Sequence, residues 1–451
     1  MRHKQHVVIC GAGIAGVSAA YFLARAGVGE ILLLDERPPL SLTSDRSTEC
    51  YRNWWPDREV TALMNRSIDL LEQLAAAGAN VFRMNRRGYL YVTADKKTVP
   101  LMQEQASKIS AAGAGPLRLH STLNSEYSRP HPEGYGQEPN GADMLLGHDL
   151  IGQLFPYLTG TAEAALHVRR AGWLSAQQLG MHLLEQARAR GVTFKSARLS
   201  GVEASAGRVS SVILATGERI GCDVFVNAAG PHFKEVGAYL SLDLPVHAEV
   251  HLKVAFEDRL RVIPREAPLL IWTDAQSLPW DDDERAVFDS DDNLNWLNGQ
   301  FPGGAHTRPE GVSESNAVLM LWDYRTRVQD PVFPVPLDDQ YPEIALRGLS
   351  TMLPGLRAYI GRTTRPQLDG GYYIRTRENR PLIGPTAVSG AYLIGALSGY
   401  GIMSACAAGE LLAAHVVGAR LPEYAAAFAV ARYDDPVYVK SMDQWNEAGE
   451  L

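Results

Sequence analysis

Three glycines in Gly11-Ala12-Gly13-Ile14-Ala15-Gly16 stand at the GxGxxG spacing that lets a backbone turn close on a pyrophosphate. Gly11 permits the tight turn, Gly13 lets N–H groups approach the phosphates, and Gly16 allows the next helix to pack closely on the strand before it. Helix N-terminal N–H groups carry partial positive charge, so anion binding is the chemistry expected there. Asp35 lies 19 residues beyond Gly16, where a carboxylate accepts hydrogen bonds from ribose hydroxyls, and Glu36 competes for that role. An acid at this place favours an unphosphorylated ribose, as in FAD or NAD. Late in the chain a second glycine turn, Ser398-Gly399-Tyr400-Gly401-Ile402-Met403, opens another helix and offers a second anion site. The loop Ser41 to Glu49 supplies small hydroxyl side chains suited to phosphate and ribitol groups.

A lone GxGxxG carries little weight; the elements around it decide. His6 to Cys10 reads as a buried strand, Val17 to Ala26 as a helix stopped by Gly27, and Glu30 to Asp35 as the next strand, which completes a βαβ unit. Val224 to Asn227 is a further buried strand, followed by the small residues Ala228, Ala229 and Gly230 that let backbone pass close to a ligand. Ala391 to Ala396 is another, and it leads through the second turn into a helix from Ser404 to Val417. Val60 to Ala77 and Ala176 to Gly191 have helical periodicity, while Arg87 to Val92 looks like sheet. The acidic group Asp281 to Glu284 reads as a solvated loop, with a lid over the site as the alternative.

With 451 residues, two or three domains are expected, and 46% hydrophobic residues suffice for large cores. A formal charge of −8 without runs of like charge argues against nucleic acid as the partner. Cys10, Cys50, Cys222 and Cys406 lie too far apart for a CxxC metal site or a disulfide framework, so no metal and a reducing, cytoplasmic setting are expected. The uncharged stretch from Val7 to Ala24 imitates a signal peptide, but its three glycines serve the phosphate turn better. No segment is long and apolar enough for a membrane span, since Glu410 and His415 interrupt Ala405 to Ala419.

Taken together, these blocks resemble the D-amino-acid-oxidase-like (DAO) family of FAD enzymes, which includes glycine oxidase, sarcosine oxidase and dimethylglycine dehydrogenase. The matching stretches run from Val7 to about Tyr433 and include Ala171 to Ser175, Val202, Asn227 to Pro231 and Thr376 to Gly384. The resemblance implies an α/β fold: a Rossmann-like, glutathione-reductase-like FAD domain (1–80, 150–235 and 362–435) interleaved with an α+β substrate domain of antiparallel sheet (81–149 and 236–361), then a tail (436–451). It implies FAD contacts at Gly11, Gly13, Ile14, Ala15, Gly16, Asp35, Glu36, Arg37, Thr43, Ser44 and Val202. It adds Ala228, Ala229, Gly230, Gly371, Ser398, Gly399, Tyr400, Gly401, Ile402 and Met403, with the late turn facing the flavin pyrimidine edge. Sarcosine oxidase links its flavin through a cysteine that aligns with Gly371, so non-covalent FAD is expected here. Its carboxylate-binding lysine aligns with Met403, which cannot hold a carboxylate.

The implied reaction is oxidation of the C–N bond of a small amine or N-methylated amino acid by hydride transfer to flavin N5, the imine then being hydrolysed. Oxygen or a separate electron carrier takes the electrons, and a homo-oligomer is compatible with the sequence. Tyr373 aligns with substrate-binding positions of the family, and Arg375, two residues on in the same strand, shares its face. Arg52 is a candidate anchor for an acid group, against salt-bridge duty. Glu249, His251 and Lys253 alternate along one strand, so their face either borders the flavin, with His251 as proton acceptor and Lys253 towards the oxygen-reactive side, or is solvated. Tyr400 is a candidate hydrogen-bond donor to substrate. Alternatives are hydroxy-acid or alcohol oxidation on the same fold and a flavin-binding assembly factor or partner subunit with little activity.

Overall fold

A computed structural model of the chain describes residues 5–122, 126–136, 138–311, 314–362 and 366–442. The expected tail beyond residue 442 lies outside them. The strand His6–Cys10 is the hub of a six-stranded sheet in the order Leu382–Pro385, Ala391–Gly395, Val224–Asn227, His6–Cys10, Glu30–Asp35, Thr193–Ser196. All pairs are parallel except the outermost, Leu382–Pro385 with Ala391–Gly395. Val7, Val8 and Ile9 are wholly buried, as the central strand of a sheet covered on both faces requires.

The helices Ile14–Arg25 and Gly401–Val417 pack on each other at close range. Ser18 Oγ donates to the Ala405 carbonyl at 2.7 Å, and Gly409 leaves room for the Ser18 backbone. Asp57 caps the helix Arg58–Ala77 by accepting from the Val60 N–H, and Ser175 caps Ala176–Arg188 by accepting from Gln178. Val202 lies in a separate antiparallel meander formed by Leu199–Ser205, Arg208–Leu214 and Arg219–Gly221.

The second sheet is larger and mostly antiparallel, with parallel pairs only at Leu269–Trp272 against Tyr89–Thr93 and Leu117–His120 against Ala142–Leu146. Its centre is the long strand His247–Glu257, which pairs with Ala317–Leu321 on one side and Gln367–Arg375 on the other. Ala164–Val168 and Gln367–Arg375 cross the expected division: they fall within segments 150–235 and 362–435 yet belong to this second sheet. Family order along the chain cannot reveal which sheet a strand joins; backbone pairing does. The acidic residues at 281–284 also depart from a loop. Asp281 and Glu284 form a capping box on the helix Asp282–Asp289, and Glu284 binds Arg347 at 2.6 Å, which accounts for the negative charge at that helix start.

Candidate active site

Between the two sheets runs a groove of about 1150 Å³ lined by both glycine turns, which adjoin where a Cβ on Gly401 would stand 3.9 Å from the Ile14 side chain. At the first turn, a Cβ on Gly11 would stand 2.3 Å from the Ala228 carbonyl oxygen, and one on Gly16 only 1.8 Å from the Gly11 oxygen. No side chain fits at either place. Asp35, ending its strand, is fixed by backbone: Oδ2 accepts from the Ala12 N–H at 2.7 Å and Oδ1 from the Arg37 N–H at 2.9 Å. Ser44 Oγ accepts from the Ile14 N–H at 2.9 Å, tying the hydroxyl-rich loop to the helix start. From the other side, fully buried Arg308 donates to the Thr48 carbonyl at 2.8 Å and holds the end of that loop.

Beside the first turn, the turn before the helix Gly401–Val417 holds two non-glycine residues at positive φ, Ala396 (51°) and Ser398 (48°). Ser398 Oγ is buried in the groove wall without a hydrogen-bond partner. A buried hydroxyl without a partner is costly, so this atom points to a ligand that satisfies it.

The reacting side comes from the second sheet, where His247–Glu257 pairs with Gln367–Arg375 so that His251 faces Gly371 and Glu249 faces Tyr373. The His251 and Tyr373 rings stack with centroids 3.7 Å apart, at 18° between planes. The Tyr373 ring also fills the space beside Gly399, where a Cβ would meet it at 2.4 Å. Glu249 is buried and accepts from Arg375 at 2.9 Å; its oxygens lie 2.9 Å from His247 Nε2 and 3.2 Å from His251 Nε2. Burial alone would raise this carboxyl, but the hydrogen bond from His251, the charge and hydrogen bond of Arg375 and the hydrogen bond from His247 outweigh it and hold it at about 2. His251 Nδ1 lies 2.8 Å from Asp323 Oδ1. Lys253 Nζ donates to the Ser47 carbonyl at 2.9 Å, and burial pushes its ammonium below the ordinary lysine range against the pull of Asp369 and Glu49.

Of the residues singled out in the sequence, Gly11, Gly13, Ile14, Ala15, Asp35, Arg37, Thr43, Ser44, Ala228, Ala229, Gly230, Gly371, Ser398, Gly399, Gly401 and Ile402 line the groove, as do His251 and Tyr373. Seven do not. Gly16 lies beneath the turn, Met403 and Val202 are packed into cores, and Glu36 points to Arg37. Tyr400 turns away from the groove: its hydroxyl donates to the Asn379 carbonyl and its ring packs edge-on against Trp55. Arg52 donates to the Tyr91 hydroxyl and lies over the Trp55 ring at 4.3 Å. Arg375 is turned to Glu249. The face of Glu249, His251 and Lys253 is not solvated: Glu249 and His251 are buried, and Lys253 is tied to the hydroxyl-rich loop.

Asp323 and Arg308 were missed. Both act through contacts distant in sequence, and neither stands in a motif. Arg46 lines the groove beside Thr43 and binds Asp369 at 2.8 Å, a pairing no local pattern discloses. Among the described residues, no group of His, Cys, Asp or Glu is disposed to hold a metal ion, and no helix is long and apolar enough to cross a membrane. The four cysteines are buried and free.

A parallel sheet with a glycine turn and terminal acid, joined at a groove to a second sheet, is the architecture of a dinucleotide-binding protein. The chain belongs to the DAO family, described as FAD dependent oxidoreductase, which matches residues 6–415. It is 26% identical over 329 residues to the mitochondrial pyruvate dehydrogenase phosphatase regulatory subunit of Mus musculus, covering 68% of this chain and 31% of that one. To the mitochondrial dimethylglycine dehydrogenase of Rattus norvegicus it is 24% identical over 273 residues, 60% of this chain and 29% of the relative. The chain thus spans about a third of the length of these curated relatives. The crystal structure of L-proline dehydrogenase from P. horikoshii shares the fold with a TM-score of 0.72 at 17% identity, covering 98% of this chain and 99% of that one. The groove fits FAD: the paired glycine turns, the anchored Asp35 and the unsatisfied Ser398 hydroxyl all line it.

Proposed function

We propose that this chain oxidises the C–N bond of a small secondary or N-methylated amine, with FAD bound non-covalently as the two-electron acceptor. Gly11, Gly13, Ile14, Asp35 and Ser44 would hold the ADP half, and Ser398, Gly399, Gly401 and Ile402 the ring end. Tyr373 walls the reacting end, and the Gly399 turn and His251 clamp its ring so that it orients a substrate and excludes water. Lys253 and Arg46 are cations on the groove wall, placed to receive an acid group of the substrate. Electrons leave to oxygen or to a separate carrier. Segments 1–80, 150–235 and 362–435 would supply most of the FAD domain.

One observation carries the choice of an amine over a hydroxy acid. His251 Nε2 is hydrogen-bonded to Glu249, Nδ1 lies 2.8 Å from an Asp323 carboxylate oxygen, and the ring face meets Tyr373. Hydroxyl oxidation needs a base aimed at the O–H proton, whereas a neutral amine loses hydride with its own lone pair supplying the push. His251 is therefore engaged by two carboxylates and a ring, and is not presented as the hydroxyl base.

The test is anaerobic titration of the yellow protein with amines, N-methyl amino acids and hydroxy acids. Loss of the oxidised-flavin band with amines only is the expected result; a response confined to hydroxy acids overturns it. A second reading, a flavin-binding partner subunit, is favoured by the resemblance to the regulatory subunit, and a protein that binds FAD but responds to none of these compounds would support it.

A further inference from the structure

Asp323 follows the strand Ala317–Leu321, touches His251 from the side opposite Glu249, and lines a second cavity of about 490 Å³. Trp322, Tyr324, Tyr341, Arg325 and Asp338 share that cavity, which also touches Leu252, a residue of the groove wall. The Asp323 side chain is 38% exposed while His251 is buried, so this carboxylate joins a ring inside the site to solvent outside it.

We propose that Asp323 is a positioning residue for the reacting end: it clamps His251 against Glu249, keeps both ring nitrogens protonated, and so presents an imidazolium face to Tyr373. This rests on the amine-oxidising reading for its catalytic consequence but not for the protonation state itself. An imidazolium stacked 3.7 Å from a phenol ring fixes that ring. Proton exchange with solvent passes by Asp323 and the second cavity while the groove is filled.

The groups facing His251 and its partners are few. Its own strand presents Glu249, with His247 beyond it, and Lys253. The neighbouring strand presents Tyr373 and Arg375, the latter bound to Glu249. On the far side stand Asp323, then His306 and Tyr341, which reach Asp323 through space. Burial holds His306 below the ordinary imidazole range, so it remains neutral beside Asp323. Desolvation on its inner side would raise the Asp323 carboxyl, but His251, with His306 and Arg375 beyond it, more than reverses this and lowers it.

Long-range 1H–15N spectra of FAD-loaded protein labelled with 15N-histidine test the proposal, with His251→Gln supplying the assignment. Wild type is expected to show both His251 nitrogens protonated at pH 7. In Asp323→Asn the His251 titration falls by about one pH unit or more, and Asp323→Glu restores it. With an amine substrate, the matching limb of the kcat/KM profile shifts in the same direction, and Asp323→Glu moves it back. A neutral His251 in wild type, an unchanged titration in Asp323→Asn, or a shifted titration with an unmoved pH profile overturns the proposal. If no amine is oxidised, the functional reading fails while the spectra still decide the protonation state.

Discussion

Replacing Glu249 by Gln probes the charge cluster under the reacting end, and the structure sets its size. Burial raises the Glu249 carboxyl, yet His251, Arg375 and His247 lower it from the ordinary 4.5 to about 2. At about 1.36 kcal/mol per unit, this differential corresponds to about 3 kcal/mol of folding free energy at neutral pH. A depressed carboxyl contributes in full above its unfolded value and loses that contribution as pH falls towards the folded value. Integrating the two titrations leaves about 2 kcal/mol at pH 3.5. Glu249→Gln keeps the shape but removes the charge, leaving Arg375 and His251 with an unpaired buried environment. Urea unfolding followed by tryptophan fluorescence should therefore place the variant about 3 kcal/mol below wild type at pH 7, with the gap narrowing by about a third at pH 3.5. A gap that is equal at both pH values, or below about 1 kcal/mol at pH 7, refutes the assignment of His251 and Arg375 as charged partners of Glu249.

Gly399→Ala places a methyl group 2.4 Å from a Tyr373 ring carbon, so the ring must leave its stack on His251. The expected result is a fall in kcat of at least about tenfold with FAD still bound, and an unchanged kcat would mean that Tyr373 does not wall the reacting end. Acid precipitation of the holoprotein should leave the yellow colour in the supernatant, because Gly371 offers no attachment atom and none of the four cysteines lines the groove; colour retained in the pellet would show a covalent link elsewhere.

The nucleotide end was legible because its chemistry is local. Gly11, Gly16 and Asp35 act within one βαβ unit, and the reason no side chain fits at Gly16 is the carbonyl of Gly11, five residues away. The reacting end was only half legible. Alternation put Glu249, His251 and Lys253 on one face, and Tyr373 and Arg375 on another, but nothing local said that the two strands pair with Glu249 opposite Tyr373. Register between strands more than a hundred residues apart is set by packing. For the same reason no local pattern pairs Arg375 with Glu249, 126 positions earlier. Tyr400 failed differently: its place in the glycine turn is as expected, but the N-cap backbone aims its side chain at Trp55 and Asn379.

Energetics help to separate an enzyme from a flavin-binding subunit without chemistry. Gly11, Asp35 and Ser398 serve binding, and a scaffold needs nothing more. Glu249, His251 and Arg375 are different, because taking three ionisable groups out of water costs several kcal/mol per charge, and apolar residues of the same volume would hold the sheet at least as well. Buried Arg308 already supports the hydroxyl-rich loop, so the cluster is not required to shape the groove. What it adds is an oriented charge against the one aromatic ring that the late glycine turn clamps, at the end of the groove where Ser398 awaits a partner. A charge held this way affects a reacting group and does little for a bound but idle cofactor, which favours catalysis as the use of the site.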